Sequence, residues 1–204
     1  MLGFGPLGSS PLGATPSFWT PVEARLEILL QVEIIHSGTV TAEGALIKAV
    51  AYPWRRIVDW VTRDPGSLAH FAQNPRAFEE FIAASYDQAG FDEVTLTPQR
   101  GDGGRDVIAV KNGFGSVRFL EQTKAYSPGH LVTHDDIRAM LGVLSVDRNS
   151  SKGLITTTSD FQPGITKSGS EFSSFLPHRL ELKNGNALRS WLRDLADSVE
   201  RENR

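Results

Sequence analysis

The sequence predicts an α/β fold: a mixed sheet flanked by helices, in the order helix, three strands, helix, strand, with a small N-terminal appendage. Three observations carry this expectation. The stretch NPRAFEEFIAASYDQAGF has the apolar spacing of an amphipathic helix. VTLTP, RDVIAV and VRFLEQTK are short strand-like runs separated by the turn-forming segments QRGDGG and KNGFG, which reads as a three-stranded meander. The β-branched run KGLITTTS follows a second helical pattern, the crossover that a parallel strand requires.

The composition sets outer limits. Hydrophobic residues make up 40% and charged residues 22% of the 204 positions, near the averages for a soluble globular protein. The chain has no cysteine, which excludes disulfides and thiolate zinc sites and leaves oxygen or imidazole ligands for any metal. A reducing, cytoplasmic setting fits that composition. A net charge of −3 argues against a protein that coats nucleic acid by bulk electrostatics, so any nucleic-acid site must be local. No apolar run approaches the roughly 20 residues that span a bilayer, and no membrane partner is expected.

Taken in order, residues 1–20 are punctuated by Gly and Pro and lack the basic start and apolar run of a secretory signal; they read as a loosely ordered arm. Residues 21–73 read as a small appendage of a β-hairpin plus a helix, with packing as their role. Within it, Leu26, Ile28, Leu30, Val32 and Ile34 alternate with polar residues as in a strand, although TPVE supports a competing helix start. HSGTVTAEG then reads as a turn, ALIKAVAY as a second strand, and PWRRIVDWVTRDP as a short helix with Ile57, Trp60 and Val61 on one stripe.

Residues 74–204 form the main domain. Asn74 is placed to cap the first helix, Pro75 suits its first turn, and Gly90 ends it, with Phe78, Phe81, Ile82 and Ser85 at core spacing. Thr133 is placed to cap the helix THDDIRAMLGVLSV, whose Asp135 and Asp136 complement the positive end of its dipole. After KGLITTTS the sequence predicts a polar helical stretch, then HRLELK as a strand and a final helix over about 186–200.

The third strand of the meander is unusual, because FLEQTKAY begins apolar and then carries Glu121, Gln122 and Lys124. Strand alternation puts Leu120, Gln122 and Lys124 on one face, the last two about 7 Å apart, and Glu121 and Thr123 on the other. Asp106 starts the neighbouring strand just after a glycine pair that permits close approach. If the two strands pair antiparallel through KNGFG, Asp106 meets Gln122 and Lys124 at one edge of the sheet. A carboxylate and an amide oxygen suit a hard cation such as Mg²⁺, and an adjacent ammonium can orient water or stabilise developing negative charge. Phosphodiester hydrolysis needs these parts.

GDGGRDVIAV followed by EQTKAY resembles the GxD and QxK motifs of Mrr-type restriction endonucleases, a branch of the PD-(D/E)xK nuclease superfamily. The resemblance extends through RAFEEFIAASYDQAGF before the motifs and through DDIRAMLGVL and KGLITTTSDF after them, over roughly residues 74–183. It implies a restriction-endonuclease-like αβββαβ core, a metal-dependent endonuclease that cuts DNA in bacterial defence, Mg²⁺ (or Mn²⁺) as cofactor, and DNA as partner. A homodimer is also expected. It implies Asp106 as metal ligand, Gln122 in the position usually held by an acidic ligand, Lys124 as the catalytic lysine, and Glu79 as the helix glutamate that helps hold the metal or its water. The alternative keeps the fold and the DNA contact as a binding or sensing module, with neutral Gln122 holding metal poorly.

Around these motifs Arg100, Arg105, Lys111, Arg118 and Lys124 outnumber Asp102, Asp106 and Glu121, a local positive surface. Arg100, Arg105, Lys124 and Tyr126 are the nucleic-acid-binding candidates, Tyr126 by stacking or hydrogen bonding. Asp102 reads as a turn former and Glu121 as a decoy pointing away from Lys124. The histidines, His130 and His134 among them, show no paired metal spacing.

Overall fold

The computed structural model describes residues 33–99 and 103–202. Its centre is a seven-stranded mixed sheet in the order β1-β2-β3-β4-β5-β7-β9. The strands are β1 (Ile35–Thr41), β2 (Gly44–Ala49), β3 (Glu93–Leu96), β4 (Val107–Gly113), β5 (Gly115–Lys124), β7 (Lys152–Thr157) and β9 (Leu180–Lys183). Neighbours from β1 to β5 are antiparallel, whereas β5, β7 and β9 run parallel. The mixed α/β class and the central meander agree with the sequence expectation.

The N-terminal strands differ from it. Most of the alternating run at 24–34 lies outside the described residues, and Glu33 and Ile34 precede the first strand without belonging to it. HSGTVT, expected to be a turn, is most of β1, and the reversal is confined to Ala42 and Glu43. The hairpin does not stand apart, because β2 pairs with β3 and extends the main sheet. Gly44 permits this junction: its φ is +146°, and a Cβ there would lie 2.3 Å from the Leu96 carbonyl oxygen. Ala51 and Tyr52, expected at the end of a strand, open α1 (Ala51–Arg63) instead. Its buried stripe is Trp54, Ile57, Val58 and Val61, with Trp60 only half-buried.

Helix α2 (Pro75–Gln88) is capped as expected, with Asn74 Oδ1 accepting from the Ala77 amide at 3.2 Å. It buries Phe78, Phe81, Ile82 and Ser85 beneath β2–β5, and α4 (Gly185–Glu202), which buries Leu188, Leu192 and Leu195, packs beside it. Trp54 Nε1 donates to Ser85 Oγ at 3.0 Å and ties α1 to this layer. Helix α3 (His134–Val146) covers the other side, where Ile137, Met140 and Leu144 join Ile108, Leu120 and Ile155 in one core. Gly153 of β7 makes that approach possible, because a Cβ there would lie 2.6 Å from Leu144 Cδ1.

The polar helical stretch expected after β7 is not an α-helix. Residues 162–179 form successive turns around buried Ile165 and Phe172, interrupted by Pro163 and by Gly164 and Gly169 with φ of +99° and +81°. Two short strands, β6 (Leu131–Val132) and β8 (Asp160–Phe161), pair in parallel as a second small sheet. Among the described residues no helix is long and apolar enough to cross a membrane.

Candidate active site

The β4–β5 register runs from Val107↔Glu121 to Gly113↔Gly115, and Asp106 lies one residue beyond the end of that ladder. The Asp106 amide donates to the Glu121 carbonyl at 2.8 Å. Its carboxylate then substitutes for the next backbone acceptor: Oδ2 accepts from the Thr123 amide at 2.6 Å and from Thr123 Oγ1 at 3.0 Å. From the other side the Thr97 amide and hydroxyl both donate to the Asp106 carbonyl at 3.0 Å, and the hydroxyl also donates to the Arg105 carbonyl at 2.7 Å. Asp106 is therefore fixed between the ends of β3 and β5.

Gln122 and Lys124 share the α3 side of the sheet with Leu120, as alternation requires. Gln122 Nε2 donates to the Gly104 carbonyl at 3.2 Å, while its buried Oε1 has no hydrogen-bond partner among the described residues. The reverse amide orientation would set two oxygens against each other. Gly104 has φ of +80°, and a Cβ there would press on Val143 Cγ2 at 3.2 Å, so this position accommodates a glycine.

Lys124 Nζ lies 3.0 Å from Asp136 Oδ1, both side chains being about four-fifths buried. The other oxygen of Asp136 accepts from the Thr133 amide and hydroxyl at 2.8 Å each and completes the capping box of α3. Burial opposes ionisation of Asp136, but the Thr133 hydrogen bonds and Lys124 outweigh it and hold the carboxyl below its usual range. Sequence reasoning assigned Asp136 to the helix dipole and missed its contact with Lys124. The capping-box spacing was legible; the seating of the α3 N-terminus over the end of β5 was not.

Glu79, on the first turns of α2, is mostly buried and receives Arg76 Nη1 at 2.6 Å. The same Arg76 nitrogen donates to the Thr97 carbonyl at 3.0 Å, so Arg76 links Glu79 to the residue that also bonds the Asp106 carbonyl. Arg105 Nη1 pairs with Asp147 Oδ2 at 2.9 Å. The Tyr126 ring stacks on His130 with centroids 4.0 Å apart. His134 Nδ1 meets Gln162 Oε1 at 3.1 Å. Arg100 and Asp102 lie outside the described residues.

Glu121 points away from Lys124, as expected, but into the protein interior. It is 1% exposed and accepts a 2.6 Å hydrogen bond from the Tyr86 hydroxyl. Burial pushes its carboxyl up to about 7, against the pull of Lys183 and Tyr86 and with a smaller push from Asp106. The Lys183 ammonium sits 4.4 Å from the Trp191 ring centroid.

The divalent cation implied by the resemblance can be tested against these groups. Among the described residues no three acidic or histidine side chains converge into a metal-holding group. The donors at the sheet end are the Asp106 carboxylate and the Gln122 amide oxygen, both hard oxygen ligands of the type that Mg²⁺ accepts in ones and twos beside water. A buried acceptor without a donor costs roughly 1–3 kcal/mol, and Gln122 Oε1 is such an acceptor. The donor set fits a cation of this class.

Comparison with solved structures gives distant likenesses. The DNA modification-dependent restriction endonuclease AspBHI superposes with a TM-score of 0.44 at 18% identity, over 96% of this chain and 46% of its own. The MspJI restriction endonuclease, solved in complex with a 27-mer oligonucleotide, superposes with a TM-score of 0.42 at 15% identity, over 80% of this chain and 39% of its own. The chain thus spans less than half the length of either. No curated protein matches it. The family model Mrr_cat, described as restriction endonuclease, matches residues 72–192, more than half of the sequence, and the chain belongs to that family.

Proposed function

We propose that the protein is a metal-dependent DNA endonuclease that hydrolyses phosphodiester bonds in a restriction system. The observation that carries this reading is Gln122 Oε1, buried and without a partner among the described residues, at the end of the β4–β5 pair where Asp106 and Lys124 also lie. In this reading Asp106 and Gln122 hold Mg²⁺, for which Mn²⁺ can substitute. The cation, when bound, polarises the phosphoryl oxygens and activates water. Lys124 places its ammonium, oriented by Asp136, where negative charge develops on the phosphate. Glu79, fixed by Arg76, orients water from the α2 side. Arg100, Arg105 and Tyr126 serve as DNA contacts in this reading. Cutting both strands takes two such sites, which a homodimer supplies, and a cytoplasmic location gives access to invading DNA.

A second reading keeps DNA binding and removes efficient cleavage. It is favoured by the neutral amide at Gln122 and by the pairing of Lys124 with Asp136. Nicking of supercoiled DNA with Mg²⁺ or Mn²⁺, on modified and unmodified substrates, separates the two. Metal-dependent nicking supports the endonuclease. DNA binding without nicking under all of these conditions supports the binding module.

A further inference from the structure

Beside the candidate active site, on the α3 side of the sheet, a cleft of about 790 Å³ opens between the β1–β2 turn, β5 and the C-terminal end of α3. Gly103, one residue before the Gly104 carbonyl that seats Gln122, lines it together with Arg105, Arg118 and Arg148. Two carboxylates hold Arg105 and Arg118 in different ways. Asp147 is 12% exposed, pairs with Arg105 at 2.9 Å, and accepts from the Asn149 amide at 3.0 Å, so it is built into the end of α3. Glu43 is 42% exposed on the two-residue β1–β2 turn and reaches in to Arg118 Nη2 at 2.6 Å and Arg105 Nη2 at 3.9 Å.

Arg118 carries an unmet need. Among the described residues its buried Nε has no acceptor, while the neighbouring Nη2 donates to Glu43 Oε1 at 2.6 Å and lies 3.7 Å from Asp147 Oδ2. The Nε–Nη2 edge of a guanidinium matches two oxygens of a phosphate, and such bidentate pairing is stronger and more directional than a single contact. The exposed Arg148 supplies a further charge at the rim. We propose that this cleft is a second DNA-phosphate subsite, flanking the scissile bond, and that Glu43 is its displaceable occupant. A backbone phosphate takes both nitrogens of the Arg118 edge, Glu43 swings out to solvent, and Asp147 keeps Arg105 in place. The inference rests on the nuclease reading only for the identity of the ligand as DNA.

Two carboxylates among three arginines also have a purely structural explanation, and the sign of one substitution separates the two. The test is binding of a fluorescein-labelled duplex by the full chain without divalent cation, followed by anisotropy across a salt series, with nicking measured in parallel. Glu43→Gln is expected to tighten binding by about fivefold, because it removes the competing charge. Arg148→Gln and Arg118→Gln are expected to weaken binding and to lower the salt slope by about one each. Arg148, being exposed, keeps the test valid if Arg118→Gln fails to fold. A parent that binds and nicks DNA while Glu43→Gln and Arg148→Gln leave affinity and slope unchanged overturns the subsite and spares the nuclease reading. A parent with no salt-dependent DNA binding overturns both. Inorganic phosphate that raises the melting temperature of the parent but not of Arg148→Gln, with DNA affinity equal in the two, makes the cleft a free-anion site and overturns the DNA assignment.

Discussion

The ammonium of Lys124 ends 3.0 Å from Asp136 Oδ1, on the carboxylate whose other oxygen closes the capping box at Thr133. One acid thus fixes the start of α3 and the tip of β5 together. The lysine is not a solvated strand end; it is held at the site by an element that follows it in sequence.

Asp136→Asn keeps an acceptor for Thr133 but removes the charge that orients Lys124. It is expected to lower the cleavage rate by about tenfold, with little change in melting temperature. Asp136→Ala also removes the cap and is expected to cost about 1 kcal/mol of stability as well. Single-turnover nicking together with thermal denaturation checks both; an Asp136→Asn protein that cuts as fast as the parent would separate Asp136 from the chemistry.

Gly104→Ala is expected to impair cleavage more than folding. The added methyl would meet Val143 and strain a backbone with φ of +80°, shifting the carbonyl that holds Gln122. Strain of this kind costs roughly 1–2 kcal/mol, whereas displacement of the Gln122 seat is expected to reduce nicking by at least about tenfold. Urea denaturation and nicking rates measured on one preparation give the comparison.

Glu121→Ala looked nearly harmless from alternation alone, because the side chain faces away from Lys124. The structure changes the expected readout from activity to stability: the substitution orphans the Tyr86 hydroxyl and should cost roughly 1–3 kcal/mol. The pH dependence has a definite sign. The folded-state carboxyl, raised to about 7 from 4.5, holds a proton that the unfolded chain releases earlier, so stability contributed by this group declines as pH rises through that window. Urea melts of the parent and of Glu121→Gln at several pH values, without divalent cation, should show a decline that is shallower in the variant; parallel curves would contradict the assignment.

Gln122→Glu restores an acid at a proposed ligand position but exchanges the Nε2 donor to Gly104 for an oxygen. Without metal it should be less stable than the parent, and Mg²⁺ should raise its melting temperature by more than it raises that of the parent. Calorimetry of metal binding checks the same point; unchanged affinity would place residue 122 outside the set of ligands.

The meander, its register and both helix caps were legible because they rest on local chemistry: alternation, glycine turns, Asn74 and Thr133. β1 was not, since six of its seven residues are exposed and an edge strand with no buried face writes no hydrophobic period. Residues 162–179 carry helix-compatible polar residues, and their breaks come from Pro163 and two glycines with positive φ. At the site the sequence placed Asp106, Gln122 and Lys124 at one sheet end. It did not disclose Asp136 or Glu43, which arrive from α3 and from the β1–β2 turn through tertiary packing.

The most direct test of the central claim is nicking of supercoiled plasmid by the parent, Asp106→Asn and Lys124→Ala, with Mg²⁺ and with EDTA. Asp106→Asn is preferred to Asp106→Ala because an amide oxygen can still accept from the Thr123 amide and hydroxyl, so the strand end keeps its acceptor. The account predicts Mg²⁺-dependent nicking by the parent and a loss of at least about a thousandfold in each variant, with melting temperatures close to that of the parent. A folded Asp106→Asn protein that nicks DNA at the parent's rate would contradict it.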